Sequence, residues 1–433
     1  MSYYLLTLGC PKNVADSTRL ERSLREAGQS AASARNADLL IVNTCSFIDQ
    51  AKEESINAIL KLALKKKAGQ TLAVIGCLSQ LYRKELLAEV PDIDNVFGVE
   101  SWEKVAALAD GLDSTASGST PRPQNRVSAY LKIADGCNAR CSFCVIPRIK
   151  GRLHSLPPDA IVEEGKRLAA EGARELVLVA QDSTAYGRDL GMSEGLARLL
   201  ERLAADLPEV AWLRLMYAYP GRLSEELLRV MGDLRQVCKY LDIPLQHSSP
   251  SVLNRMRRPS DPSQTRRMLE RLRSAMPDIA LRTTFLVGFP GETEQDFQDL
   301  LAFVGATKFD HVGAFMFSPQ DATPAARMPD QVPERVKRRR YRELMRAARE
   351  ASLERNRAWV GRETTVLVES ESQSEKDSGA MFVGRSYRDA PEVDGFIFCK
   401  GRASAGEMRR VRIVEALPYD LLAEPVAPKP DSG

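Results

Sequence analysis

Residues 129–144 read AYLKIADGCNARCSFC. The strand-like run Ala129 to Ile133 leads directly into Cys137, Cys141 and Cys144 at C-x3-C-x2-C spacing, and no other cysteine follows until Cys238. Structural zinc and ordinary ferredoxin clusters each take four protein ligands, so three thiolates are one short of a closed site. A [4Fe-4S] cluster on three cysteines keeps one iron open for a substrate or cofactor. Zinc, or plain packing of small thiols, is the competing account.

Downstream of this stretch, strand-like runs recur at Leu176 to Ala180, Trp212 to Met216, Tyr240 to Ile243, Ile279 to Leu286 and His311 to Phe315. Helical patterns separate them, which predicts six βα units in a full or partial barrel. Upstream, Asp113 to Ser128 holds four Ser, two Thr, one Gly and two Pro, and reads as a linker over residues 113–128. Before it, the runs Tyr3 to Leu8, Asp38 to Val42 and Leu72 to Ile75 alternate with helical patterns, so residues 1–112 should form an open parallel α/β domain. Cys10, Cys45 and Cys77 each follow one of these runs directly. The carboxyl ends of parallel strands share one edge, where ligands bind, so the three thiols should converge into a second open site. An isolated intracellular cysteine is otherwise a small buried hydrophobe, and Cys238 and Cys399 read that way.

At the other end, Glu334 to Arg357 carries ten Lys or Arg against four Glu, net +6, with Val336, Tyr341, Leu344, Met345 and Leu353 as an apolar side. This predicts a basic helix closing a core of residues 129–356. Gly-bounded runs Thr364 to Val368, Gly395 to Cys399 and Arg409 to Val414 predict a small all-β barrel over 357–425, followed by a tail at 426–433. For the whole chain, 61 Lys and Arg against 58 Asp and Glu give +3, which makes no general case for nucleic acid or membrane as partner. No apolar run approaches the roughly 18 residues needed to span a bilayer, and the N-terminus lacks a basic leader. A cytoplasmic protein with reduced thiols is the expectation, which favours metal over disulfide for clustered cysteines.

The Cys137–Cys144 spacing, with Phe143 before the third cysteine, resembles the signature of the radical S-adenosylmethionine (SAM) superfamily. The chain as a whole resembles the methylthiotransferase family of that superfamily. The resemblance rests on LGCPKN at Leu8 to Asn13, NTC at Asn43 to Cys45, IGC at Ile75 to Cys77, IPLQHSS at Ile243 to Ser249 and TTFLVGFPGET at Thr283 to Thr293. It implies an N-terminal methylthiotransferase domain, a radical SAM (βα)6 partial barrel and a C-terminal TRAM barrel. It also implies two [4Fe-4S] clusters, an auxiliary one on Cys10, Cys45 and Cys77 and the radical-generating one on Cys137, Cys141 and Cys144, with catalysis running through them. SAM would be used twice per turnover, as methyl donor and radical source, and an electron donor and a sulfur source would be needed.

Within the family, Cys10 to Asn13, SPQDATPAA at Ser318 to Ala326 and GRSYRDAPEVDG at Gly384 to Gly395 look like the branch that modifies small-subunit ribosomal protein twelve at the β-carbon of an aspartate. The alternative is the branch that places 2-methylthio groups on tRNA adenosine. Ala15 and Lys150 depart from the usual pattern, in which arginine is common at the second of these positions.

By the same resemblance, Phe143, Gln181, Asp182, Gln246 and Gly288 are candidates on the SAM side. Each has a structural rival: Asp182 as a helix N-cap, Gly288 and Gly291 as a turn, His247 as a loop-orienting residue. Arg214 and Arg282 lie on predicted strands, where parity leaves open a clamp on the SAM carboxylate. His154 and His311 read as structural or surface residues. Residues 357–433 contain 11 Lys or Arg and 13 Asp or Glu, net −2, which suits a basic protein substrate better than a phosphate backbone. The basic helix could touch ribosomal RNA or simply form a solvated face.

Overall fold

A computed structural model describes residues 1–99, 101–110, 127–321, 323–372 and 380–426. Most of the stretch read as a linker, and the tail from 427, lie outside these residues; the last linker residue, Ser128, already opens a strand of the core.

The first sheet is fully parallel. Its strands are β1 (Ser2–Thr7), β2 (Ser30–Ala31), β3 (Leu39–Thr44), β4 (Thr71–Gly76) and β5 (Asn95–Val96), in the order β2-β1-β3-β4-β5. The central strand, LLIVNT, is buried at every position, the continuous apolar pattern of a parallel strand covered on both faces. The helices Pro11–Glu26 and Asp49–Ala63 supply crossovers. Cys10, Cys45 and Cys77 therefore stand at the carboxyl ends of three neighbouring strands.

The second sheet holds β6 (Ser128–Lys132), β9 (Glu175–Val179), β10 (Trp212–Leu215), β11 (Val237–Asp242), β12 (Ala280–Val287) and β13 (His311–Met316); a small ribbon of β7 (Ala134–Asp135) and β8 (His154–Ser155) follows β6. The order β13-β12-β11-β10-β9-β6 is an open, parallel partial barrel. Alternation along each strand decides what it meets. Leu176, Leu178, Leu213, Leu215, Leu241, Leu281 and Phe285 point outward into one large cluster with the surrounding helices. Val177, Val179, Trp212, Met216, Cys238 and Tyr240 point inward, and Ala15 of the first domain and Leu367 and Ala390 of the last domain close over them.

The last domain is a closed barrel in the order β14-β15-β16-β18-β17: β14 (Glu363–Ser372), β15 (Met381–Arg385), β16 (Ile397–Lys400), β17 (Met408–Ala416) and β18 (Leu421–Pro425). The helix Glu334–Arg357 leads into it, but its charges are less solvated than the sequence suggests. Lys337 and Arg340 are buried, Lys337 donating to the Phe317 carbonyl at 2.7 Å and Arg340 pairing with Glu292 at 3.1 Å. Arg355 pairs with the buried Asp310 at 3.0 Å. Cys399 is buried inside the barrel and Cys238 on the inner face of the core. Among the described residues no helix is long and apolar enough to cross a membrane.

Candidate active site

The turn after β1 is shaped by what lies against it. Gly9 has φ +94°, and a Cβ there would sit 2.5 Å from the Cβ and 2.8 Å from the Sγ of Cys45, so only glycine lets the Cys10 turn close onto Cys45. Pro11 opens the helix Pro11–Glu26, and Asn13 donates to the carbonyls of Leu8 (2.8 Å) and Thr44 (3.0 Å), tying the turn to the end of β3. Cys77 opens the short helix Cys77–Leu81 and packs with Val99, Val145 and Ile149. Val145 directly follows Cys144, so the helix that Cys77 opens packs on the segment next to the core cysteines.

Cys137, Cys141 and Cys144 lie on the loop between β7 and the helix Ile146–Ile149. Ser142 anchors this loop to the helix Pro250–Met256 through bonds to the Arg255 carbonyl (2.7 Å) and the Met256 carbonyl (3.1 Å). The Ala139 N–H points at Cys137 Sγ (3.4 Å) and the Arg258 guanidinium at Cys141 Sγ (3.8 Å). Burial pushes the thiols of Cys45 and Cys137 up, and those of Cys77 and Cys144 up to about 12; nearby N–H groups or Lys150 pull back only partly. Such thiols keep their protons until a bound cation displaces them.

The donor chemistry fits iron–sulfur ligation. Each set contains three thiols within electrostatic reach of one another and no fourth cysteine, because Cys238 and Cys399 are buried elsewhere. Among the described residues no three His, Cys, Asp or Glu side chains converge on a point fit for a single metal ion. In a cubane each thiolate binds a different iron, so convergence is not needed. N–H groups aimed at sulfur are also a feature of such sites. Among the described residues, the Gln181 Oε1, His247 Nε2, Ser248 Oγ and Arg258 Nε atoms are buried without a hydrogen-bond partner, which leaves polar atoms in the loops after the core strands able to meet a ligand.

A buried ion quartet joins the two domains. Asp16 pairs with Lys132 (2.6 Å) and Lys150 (3.3 Å), and Asp135 pairs with the same two lysines (2.6 and 2.9 Å). Burial alone would raise the Asp135 carboxyl, but Lys132 and Lys150 outweigh it and hold it down to about 2. Lys150, where the family pattern usually has arginine, also lies within electrostatic reach of Cys77.

The sequence candidates divide. Gln181 lies against the ion quartet: its Nε2 donates to Asp135 at 2.8 Å and its Oε1 has no partner among the described residues. Asp182 makes no side-chain cap on the short turn Ser183–Ala185; its carboxylate accepts from Thr184 (2.6 Å) and pairs with Arg222 close to Cys137. Gln246 bridges to β12 through its backbone with φ +72°. His247 accepts from the Ser249 N–H at 2.9 Å, and burial lowers its pKa to about 4, so it is a neutral ring. Phe143 packs edge-on to Phe289 at 6.4 Å. Gly288 is set against the helix Glu334–Arg357 rather than against open space, since a Cβ there would lie 2.4 Å from Lys337 Cγ. Arg214 and Arg282 are not free clamps: Arg214 pairs with Glu175 and Arg282 with Asp242 and Asp394. His311 is structural, bonded to the Arg388 carbonyl at 2.8 Å. Lys12, Asp16, Asp135, Tyr217, Arg222 and Arg258 line the same region without a local sequence signal of their own, except that LGCPKN contains the first of them.

Three family models match: the Radical SAM superfamily over residues 131–304, uncharacterized protein family UPF0004 over 2–98 and the TRAM domain over 360–426. The ribosomal protein uS12 methylthiotransferase RimO of Chloroflexus aurantiacus is 44% identical, over 98% of this chain and 99% of that protein. The protein of the same name from Geobacter sulfurreducens is 43% identical, over 97% of each. Among solved structures, the radical SAM methyltransferase TsrM from Kitasatospora setae shares the fold, with a TM-score of 0.57 at 15% identity over 87% of this chain and 79% of that one. The cobalamin-dependent SAM radical enzyme OxsB gives 0.51 at 13% identity, over 79% of this chain and 55% of that one. With near-complete coverage at this level of identity, the chain belongs to the ribosomal protein uS12 methylthiotransferase (RimO) family of radical SAM proteins.

Proposed function

We propose that the protein is a cytoplasmic radical SAM methylthiotransferase that replaces a β-hydrogen of an aspartate in ribosomal protein uS12 with a methylthio group. The observation that supports this is that two sets of three thiols, each within electrostatic reach of its own members, come near each other where Cys77 packs on Val145, the neighbour of Cys144. Full-length relatives named for uS12 support the protein substrate over tRNA.

Cys137, Cys141 and Cys144 would hold one [4Fe-4S] cluster and Cys10, Cys45 and Cys77 the other. When bound, these groups and SAM supply a 5′-deoxyadenosyl radical on the core side and methylated sulfur on the N-terminal side, given an electron donor and a sulfur source. The chain's own part is placement. The Ala139 N–H and the Arg258 guanidinium offset negative charge on sulfur. The free oxygen atoms of Gln181 and Ser248 can accept from an ammonium or hydroxyl, and the neutral His247 can donate from Nε2. The Asp16–Lys132–Asp135–Lys150 quartet keeps the domains in register and water out of the junction.

The test is an anaerobic assay of reconstituted enzyme with methyl-labelled SAM, sulfide and reductant, offered isolated uS12 and unmodified tRNA together. Label should map to an aspartate of uS12; label in the RNA would overturn the assignment. Cys77→Ala should still release 5′-deoxyadenosine yet form no methylthio product, and Cys141→Ala should release none. Normal product from Cys77→Ala would remove the N-terminal set from the reaction.

A further inference from the structure

One cation at the junction has no carboxylate in direct contact among the described residues. Lys12 lies in the first turn of the helix Pro11–Glu26, and its Nζ stands 3.5 Å from the centroid of the Tyr217 ring. Among the described residues it makes no hydrogen bond and no ion pair. The groups within its electrostatic reach are Tyr217, Cys10, Asp242 and Asp135.

Both of those carboxylates are already engaged. Asp242 pairs with Arg282 at 2.9 Å and accepts from the Tyr217 N–H at 3.2 Å, while Asp135 belongs to the lysine quartet. The other cations along this edge are committed too: Arg222 to Asp182, and Arg258 to the Pro244 carbonyl and Cys141 sulfur. An ammonium has three donors, and the Tyr217 face satisfies it only from one side. The positive end of its helix adds to its field. The neighbouring anions keep the Lys12 ammonium charged, yet none of them contacts it directly, so an anion entering the junction could take up its free donors.

We propose that Lys12 binds the side-chain carboxylate of the substrate aspartate and thereby fixes its β-carbon between the two cysteine sets, an inference that rests on the function proposed above. The carboxyl carbon of aspartate is bonded directly to its β-carbon, so holding one constrains the other to a bond length. SAM also carries a carboxylate, but the cations beside the core cysteines are Arg222 and Arg258, whereas Cys10 is the thiol near Lys12. Lys12 is thus a specificity residue for an acidic side chain.

The experiment compares reconstituted wild-type enzyme with Lys12→Gln and Lys12→Arg. Binding of isolated uS12, and of uS12 whose target aspartate is replaced by asparagine, is measured by calorimetry without SAM; 5′-deoxyadenosine release is measured separately. Wild type should prefer the aspartate form by about tenfold or more, as expected for a charge-assisted contact. Lys12→Gln should lose that preference while keeping its unfolding midpoint and its SAM cleavage, and Lys12→Arg should retain most of it. Preference retained in Lys12→Gln, no preference in the wild type, or loss of SAM cleavage without loss of preference would each overturn the assignment. Wild-type enzyme that neither binds nor labels uS12 would overturn the proposed function, and this inference with it.

Discussion

The inner face of the core is covered from two sides, and the two coverings follow different rules. On the C-terminal side, the loop between β15 and β16 fills the half-barrel with charge that is fully matched. Glu175 lies between Arg214 and Arg385, both at 2.6 Å, Asp310 meets Arg388 at 2.9 Å, and Asp394 accepts from Tyr240 at 2.7 Å and from Arg282 at 3.3 Å. On the N-terminal side, Gln181, His247, Ser248 and Arg258 keep buried atoms without partners among the described residues, and no carboxylate there contacts Lys12 directly. Satisfied groups hold a fold together; unsatisfied ones are kept for something that arrives. The segment GRSYRDAPEVDG, whose sequence resembles a substrate-specific branch of the family, therefore acts first as a plug in the core.

The sharpest way to break this contrast is Arg385→Met. It strips Glu175 of one of its two cations and removes a donor from the Asp389 carbonyl (2.7 Å) and Glu369 (2.5 Å). Losing one partner of a buried pair costs about 3–5 kcal/mol. Urea unfolding should show a loss of that size, with iron bound per folded molecule unchanged. A loss below about 1 kcal/mol, near the value of a surface pair, would mean the plug is not structural.

Acid probes the same side. Burial pushes the Glu175 carboxyl up, but Arg385 and Arg214 outweigh it and hold it at about 2, below its ordinary 4.5. The group therefore stabilises the fold above pH 4.5, and this contribution is lost as pH falls toward 2, amounting to about 2 kcal/mol between pH 5 and pH 3. Unfolding free energies of wild type and Glu175→Gln, measured across that range, should differ in slope by this amount. Equal slopes would show that Glu175 is not held ionised by its arginines.

How much of this was legible follows from the range of each interaction. The three N-terminal cysteines were readable because each follows a strand-like run, and parallel strands end on one edge. The partial barrel was readable from six apolar runs, and the core cysteines from their own spacing. The pairings across the inner face were not. Arg214 meets the Tyr387 carbonyl 173 residues away and Lys132 meets Asp16 across 116, and no local pattern encodes either. Strand parity showed that Arg214 and Arg282 alternate with outward leucines, yet it could not tell a ligand clamp from an anchor for a distant loop. The basic helix misled for a related reason: its apolar side was legible, but Lys337 and Arg340 are buried against the segments after β12 and β13, which composition does not reveal. Strands β15 and β18 are not legible because each is only five residues long, MFVGR with a glycine inside it and LLAEP ending at Pro425.

The smallest expected effect separates stability from function on the N-terminal side. Asp16→Asn keeps the shape of the side chain and removes one of two anions from the quartet, while Asp135 stays within 2.6 Å of Lys132 and 2.9 Å of Lys150. Because a carboxylate remains for both lysines, the cost should fall at the low end for a buried charged hydrogen bond, about 1–2 kcal/mol. The functional cost should be separable from the structural one, since Asp16 is the quartet member that belongs to the N-terminal domain, and its helix carries Lys12 and follows Cys10. Loosening that helix shifts one cysteine set relative to the other without disturbing the loop that holds Cys137, Cys141 and Cys144. Release of 5′-deoxyadenosine should stay within about twofold of wild type, and methylthio product should fall by tenfold or more, the scale of loss when reacting groups are slightly misplaced. Parallel losses of both products would instead mean that the quartet supports the core cysteines, and that the two coverings differ less in purpose than in their degree of satisfaction.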